Sequence, residues 1–265
     1  MKYMLGKNLP ARLLTTVALG DHLDFSSTAW PAVAAQGWEY APVPITLGML
    51  GNGPAPDNPP DIGDGVGDCV IAAAMHYAQV ETANTGNPLT PTTTLAIQTY
   101  SAITGYVPGD PDTDNGTDFE SQLFPFWKKH GIPMLDKNGK EVLHKILGFA
   151  ALDLTSIAQQ RWAQFTFGGK LSGINCPQSA LDNTSNWTYV AGSPIEGGHG
   201  VTEPGQGRAG WHTISWGLSI PGTWEFSQKL ADEMYVVVTD QWLNAQGVSP
   251  SGLNLNGLLA AMKEV

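Results

Sequence analysis

The chain has 265 residues, of which 42% are apolar and only 14% charged, enough apolar mass for a sizeable core and a poor match to a disordered chain. A formal net charge of -11 sets up a negative field that opposes phosphate backbones and anionic headgroups, which argues against nucleic acid as a partner. No apolar run reaches the roughly 18 residues of a membrane span, and abundant Gly, Pro and Trp suit a loop-rich fold better than a helical bundle.

Residues 1–60 show little periodicity and end in the Pro- and Gly-dense run Gly51–Pro60, so they are read as an extended N-terminal arm. Within it, Lys2, Lys7 and Arg12 precede the apolar run Leu13–Gly20. That run is at the short end of a secretory leader core of about 7 to 15 residues and holds two Thr, so the arm reading is preferred. Residues 61–265 are expected to form a single domain. Cys69, Ala72, Ala73, His76, Tyr77 and Val80 recur at helical spacing and predict a helix over 69–84, with Asp68 suited to cap it. Further helices are expected from Pro91 to Thr104 and from Thr117 to His130, where Gly131 ends the last. Beyond residue 140, strands are predicted over 145–152, 170–175, 199–201, 211–216 and 234–239, and helices over 156–165, 223–233 and 253–263. The sum is α+β, with a helical lobe over 61–135 and a β-rich lobe over 136–265.

Two cysteines far apart, Cys69 and Cys176, do not make a disulfide framework and are read as free thiols. Asn-x-Ser/Thr triplets begin at Asn115, Asn183 and Asn186 and matter only in a glycosylating compartment. Cys69 closes the stretch Gly63-Asp64-Gly65-Val66-Gly67-Asp68-Cys69, where a glycine-rich loop becomes a helix. Unpaired amides and the positive end of the helix dipole at such a position stabilise a thiolate, and can also hold a developing oxyanion. Read without context, the segment fits a buried structural cysteine equally well. The neighbouring Asp68 carboxylate opposes the thiolate unless its charge is committed to the cap.

Of the six histidines, His76 lies seven residues along the helix from Cys69, roughly 10 Å of rise, and is expected in the core. His22, His130 and His144 are read as solvated or capping residues, and His212 has no supporting context. His199 is set in Glu196-Gly197-Gly198-His199-Gly200-Val201, where three glycines flank an imidazole at the head of a strand.

Gly67-Asp68-Cys69, then Gly198-His199-Gly200-Val201, then Ser215-Trp216-Gly217 together resemble the papain-like cysteine peptidases, in order and in the 130 positions between Cys69 and His199. The stretch Tyr100–Tyr106 brings the chain nearer to a set of bacterial and phage proteins related to those peptidases. The resemblance implies a papain-like fold, Cys69 as nucleophile, His199 as general base and then acid, Trp216 as an apolar shield, and no metal or cofactor. Two positions depart from the family pattern. Ile214 stands where the family has an orienting Asn, leaving Ser215 or Thr213 as substitutes on one strand parity. Gly63 stands where it has an oxyanion-binding Gln, and the adjacent Asp64 would repel an oxyanion when ionised. The substrate class implied is peptide or peptidoglycan-type amide bonds. The alternative is a catalytically degenerate module with a binding or virion role.

Weaker signals give less. The acidic run from Asp110 to Glu120 puts Asn115 and Ser121 where a calcium loop needs Gly and Glu, so it reads as a turn whose Thr117 or Asp118 caps the next helix. No Cys/His spacing suits zinc. Gly205-Gln206-Gly207 is expected in a loop and lacks the lysine of a phosphate cradle. Most Trp and Tyr are expected in the core.

Overall fold

A computed structural model of the protein describes residues 65–206 and 210–263. The expected arm over residues 1–60, with His22, and the positions Gly63 and Asp64 lie outside the described residues. The helices are α1 (Cys69–Asn84), α2 (Thr93–Thr104), α3 (Phe124–Lys129), α4 (Ile157–Phe167), α5 (Gln178–Asp182), α6 (Trp224–Leu230) and α7 (Leu255–Lys263). A hairpin of β1 (Ile132–Leu135) and β2 (Glu141–His144) stands apart from a six-stranded sheet. The sheet contains β3 (Gly148–Ala151), β4 (Lys170–Pro177), β5 (Ile195–Gln206), β6 (Gly210–Ser215), β7 (Leu218–Thr223) and β8 (Ala231–Val238), in the order β3-β8-β4-β5-β6-β7. Every pairing in it is antiparallel. The architecture is α+β.

Local chemistry sets most boundaries. The Thr92 side chain accepts from the Leu95 amide and Gly105 takes φ 80° at the other end, so α2 begins after Pro91 instead of containing it. Asp118 accepts from the Ser121 amide at 2.6 Å and opens a π-helical turn, Phe119–Leu123, that runs into α3. Pro125 lies in the first turn of α3 and has no amide to give, which accompanies the widened turn before it. Other expectations shift. The strand expected over 145–152 is confined to Gly148–Ala151. The helix expected over 223–233 stops at Leu230, because Ala231 and Glu233 pair with Ile174 and Gly173 in the sheet. Gly205 and Gln206 lie within β5, not in a loop, opposite His212 and Trp211.

Both faces of the sheet are covered, and β8 shows how. Its side chains alternate, so Tyr235 and Val237 enter the core shared with α1 and α2, while Met234, Val236 and Val238 enter a second core with Phe167, Trp242 and Leu258. From Cys69 to Thr82 every residue of α1 is buried. A helix buried on every side belongs in the middle of a protein, and the small side chains of Ala72, Ala73, Ala74 and Ala78 let it approach its neighbours closely. A third cluster gathers Trp187, Trp211, Trp216 and Phe226 around Ile174 and Val201 at the β5–β7 end.

Several polar groups in these cores are paired. Lys170 and Glu203 face each other across β4 and β5, 2.7 Å apart and both essentially inaccessible. His144, expected at the surface, is wholly buried instead. The Trp127 indole N–H donates to its Nδ1 and to its carbonyl, both at 3.1 Å. The ring proton is therefore on Nε2, 3.3 Å from Glu81 Oε2, and the Thr239 hydroxyl donates to the other oxygen of Glu81. This chain ties α1, α3, β2 and the end of β8 together. His76 is buried, as expected, with Nδ1 3.3 Å from Gln79 Oε1.

Candidate active site

Cys69 is the first residue of α1. The carbonyl of Asp68 accepts from the amides of Ile71 (2.8 Å) and Ala72 (3.0 Å), which starts the helix at the position the glycine-rich loop predicts. The Asp68 side chain does not cap it, contrary to expectation. Its carboxyl is instead fully buried, and burial first, then the nearby Asp114, holds it well above the usual carboxylate range. Both effects favour the neutral carboxyl, so the expected conflict with a thiolate is eased by protonation instead of capping.

His199 comes from β5, a strand that contains four glycines yet is fixed by β4: His199 pairs with Ile174 and Gly200 with Gly173. The strand runs directly under the start of α1. A side chain at position 200 would put its Cβ 2.9 Å from Val70 Cγ2 and 3.1 Å from Val70 Cα, so the glycine is what permits the approach. The Gly200 amide then donates to Cys69 Sγ at 3.3 Å. The residue that follows His199 in β5 thus touches the sulfur of Cys69.

Ser215 Oγ lies 2.6 Å from His199 Nε2. Thr213 has the same strand parity, but its hydroxyl donates to the Thr202 carbonyl at 2.9 Å. Ile214, on the opposite parity, is buried and pairs with Thr202. Ser215 is the last residue of β6, and Trp216 and Gly217 turn the chain into β7 with φ of 50° and 71°. Positive φ at both central residues is the signature of a type I′ hairpin turn. Gly217 takes it without strain, but a tryptophan there is a conformational outlier of order 1–3 kcal/mol. What accompanies the strain is a stack: the indole lies 4.5 Å from the imidazole of His199, 15° from parallel, and braced edge-on by Trp187 at 5.8 Å. The sequence suggested a strand through residue 216 and gave no sign of this turn.

Cys176, like Cys69, is buried and not in a disulfide, but it differs in setting. Burial, then Cys69 and Glu196, pushes its thiol up to about 12, so at neutral pH it is inert. Among the described residues no group of three or more His, Cys, Asp or Glu could hold a metal ion. Nor is any described helix long and apolar enough to cross a membrane.

No protein-family model matches the chain, and no curated protein matches it in sequence. Solved structures do. Xylellain, a cysteine protease from Xylella fastidiosa, superposes with a TM-score of 0.62 at 13% identity, over 90% of this chain and 97% of that one. Procathepsin B from Trypanosoma congolense aligns at 12% identity with a TM-score of 0.49, over 89% of this chain and 87% of the other. The chain has the papain-like cysteine protease fold.

Proposed function

We propose that the protein is a cysteine hydrolase of papain type that cleaves peptide-type amide bonds, with Cys69 as nucleophile and His199 as base and then acid. The observation that carries the reading is the Gly200 amide on Cys69 Sγ, with His199 immediately before it in β5. Ser215 Oγ on Nε2 supports an orienting role, because it can accept from an Nε2–H and leave Nδ1 to take the thiol proton. Trp216 excludes water from one face of the imidazole.

The chemistry runs as acyl transfer. The Cys69 thiol gives its proton to His199, and the thiolate attacks the amide carbonyl carbon. The tetrahedral oxyanion that forms is stabilised by the amide of Cys69 at the head of α1. As it collapses, the carbon–nitrogen bond breaks and the leaving amine takes the proton from the imidazolium, leaving a thioester. His199 then deprotonates water, which attacks the thioester and releases a carboxylic acid and the Cys69 thiol.

Peptides and the peptide stems of peptidoglycan both present this bond. The test is turnover of fluorogenic peptides and of soluble peptidoglycan fragments by the unsubstituted protein, Cys69→Ala and His199→Ala. Cleavage that both substitutions abolish supports the reading. Binding of such fragments without turnover, unaffected by Cys69→Ala, would instead identify a degenerate module, the alternative that Ile214 in place of the family's Asn favours.

A further inference from the structure

The loop that delivers Cys69 is tied to a second stretch of chain by a carboxylate that this chemistry does not use. Gly67, two residues before the sulfur, donates its amide to both oxygens of Asp114, at 2.9 and 3.2 Å. The Tyr100 hydroxyl, from α2, donates to Asp114 Oδ1 at 2.6 Å and accepts from the Gly116 amide at 2.8 Å. Asp114 is thus held from two sides and half-buried. Asp68 is its opposite: 0% exposed, with no hydrogen-bond partner among the described residues for either carboxyl oxygen.

Two nearby carboxyls, one of them desolvated, do not both ionise, and the charge stays where donors stabilise it. Here the Gly67 amide and the Tyr100 hydroxyl both donate to Asp114. The titratable groups around Asp68 are Asp114 from the loop before the π-helical turn, Tyr100 from α2 and, next in the chain, Cys69. Burial and then the bond to Asp114 push the Tyr100 hydroxyl upward, so it stays protonated and adds no charge.

Resting on the nucleophile reading of Cys69, we propose that Asp114 is a positioning residue for that thiol: it fixes the Gly67 amide so that the chain enters α1 in one geometry, and its carboxyl near the buried Asp68 opposes a negative charge there, next to the sulfur. A negative charge at Asp68 would oppose the thiolate next to it. Asp114 opposes that charge at a distance, without touching substrate or sulfur.

The experiment measures the second-order rate of iodoacetamide alkylation at Cys69 in the full chain, from mildly acidic to mildly alkaline pH, alongside thermal melting. The variants are Asp114→Asn, Asp68→Asn, the double substitution and Tyr100→Phe. Asp114→Asn keeps one oxygen for the Gly67 amide but loses the charge, and is expected to lower the rate roughly tenfold, equivalent to about 1.4 kcal/mol of barrier, most at alkaline pH. Asp68→Asn in that background is expected to restore most of the loss, since an amide at position 68 cannot ionise. Tyr100→Phe should give a smaller loss in the same direction. A purely structural role would lower the melting temperature with no rescue by Asp68→Asn, and that result overturns the proposal. So does an unchanged rate in Asp114→Asn. Should Asp114→Asn fail to fold, Tyr100→Phe decides, because it keeps both carboxyls, and an unchanged rate there overturns the proposal equally. Failure of the nucleophile reading looks different: Cys69 of the unsubstituted protein would then react no faster than Cys176.

Discussion

Ser215 Oγ and His199 Nε2 lie 2.6 Å apart at the end of β6, one residue past the position where papain-like sequences place an orienting Asn. The strand's alternation decides the substitution. Ile214 is buried on the opposite parity, so the hydroxyl at 215 is the one that reaches the imidazole, and Thr213 is engaged with the Thr202 carbonyl. A hydroxyl can hold the ring in one tautomer as an amide oxygen does, with one fewer atom of reach.

Ser215→Ala is accordingly expected to leave the melting temperature within a few degrees of the unsubstituted protein while slowing peptide turnover. A loss of roughly 10- to 100-fold, equivalent to about 1.4 to 2.7 kcal/mol of barrier, is the scale for an orienting contact. Steady-state kinetics should place it in kcat, with KM little changed. Equal turnover by the variant would show that the imidazole is oriented by something else.

At Gly200 the expectation is the reverse, a change in packing that becomes a change in chemistry. The Cβ of Gly200→Ala would fall 2.9 Å from Val70 Cγ2, with Val70 backbone atoms at 3.1 and 3.2 Å, so rotating the valine does not relieve it. Such overpacking costs about 1–3 kcal/mol and here separates β5 from the start of α1. Denaturant melts should show the destabilisation, and Cys69 should lose reactivity with it. A variant with native stability would mean that strand and helix have slack the geometry does not show.

Asp68 should make stability depend on pH in the direction opposite to most carboxylates. Its folded-state pKa is raised, so the native protein keeps a proton that the unfolded chain releases above about pH 3.9. The native state then binds more protons, and stability falls as pH rises from that value to the folded pKa, by at most about 1.4 kcal/mol per pH unit. Asp68→Asn removes this term, so melting temperatures compared at pH 5 and pH 8 should favour the variant more at pH 8. A constant difference across that range would show that Asp68 is ionised in the folded protein.

The Lys170–Glu203 pair is a separate test of the sheet. Removing one member by Lys170→Met strands a carboxylate with 1% exposure and should cost about 3–5 kcal/mol, whereas Lys170→Met with Glu203→Leu should recover most of that loss. A double-mutant cycle by chemical denaturation measures it. Additive losses would mean that the two side chains do not depend on each other.

The parts legible in the sequence were those set by local chemistry. A glycine-rich loop before an apolar run fixed the start of α1 to the residue, and Asp118 opens its helical turn through its own side chain, as its position suggested. What was not legible depends on distant partners. β5 extends over Ile195–Gln206 although its glycines disfavour a strand, because β4 and β6 supply the ladder on either side. His144 looked solvated because its neighbours are, while Trp127 and Glu81, remote in sequence, make its burial possible. Asp114 was one carboxylate in an acidic turn, and only the fold brings it to Gly67. Trp216 was read as a shield by resemblance, but the left-handed backbone that puts it over His199 has no sequence signal beyond the glycine that follows it.

The most direct test of the account is site-resolved alkylation of the two cysteines by a limiting amount of iodoacetamide at neutral pH, read by peptide mass spectrometry. Cys69, whose sulfur accepts the amide of the residue after His199, should be modified at least roughly tenfold faster than Cys176, whose thiol burial and nearby charges push up to about 12, and His199→Ala should erase the difference. Equal, slow modification of both thiols in the unsubstituted protein would contradict the assignment of Cys69 as a nucleophile.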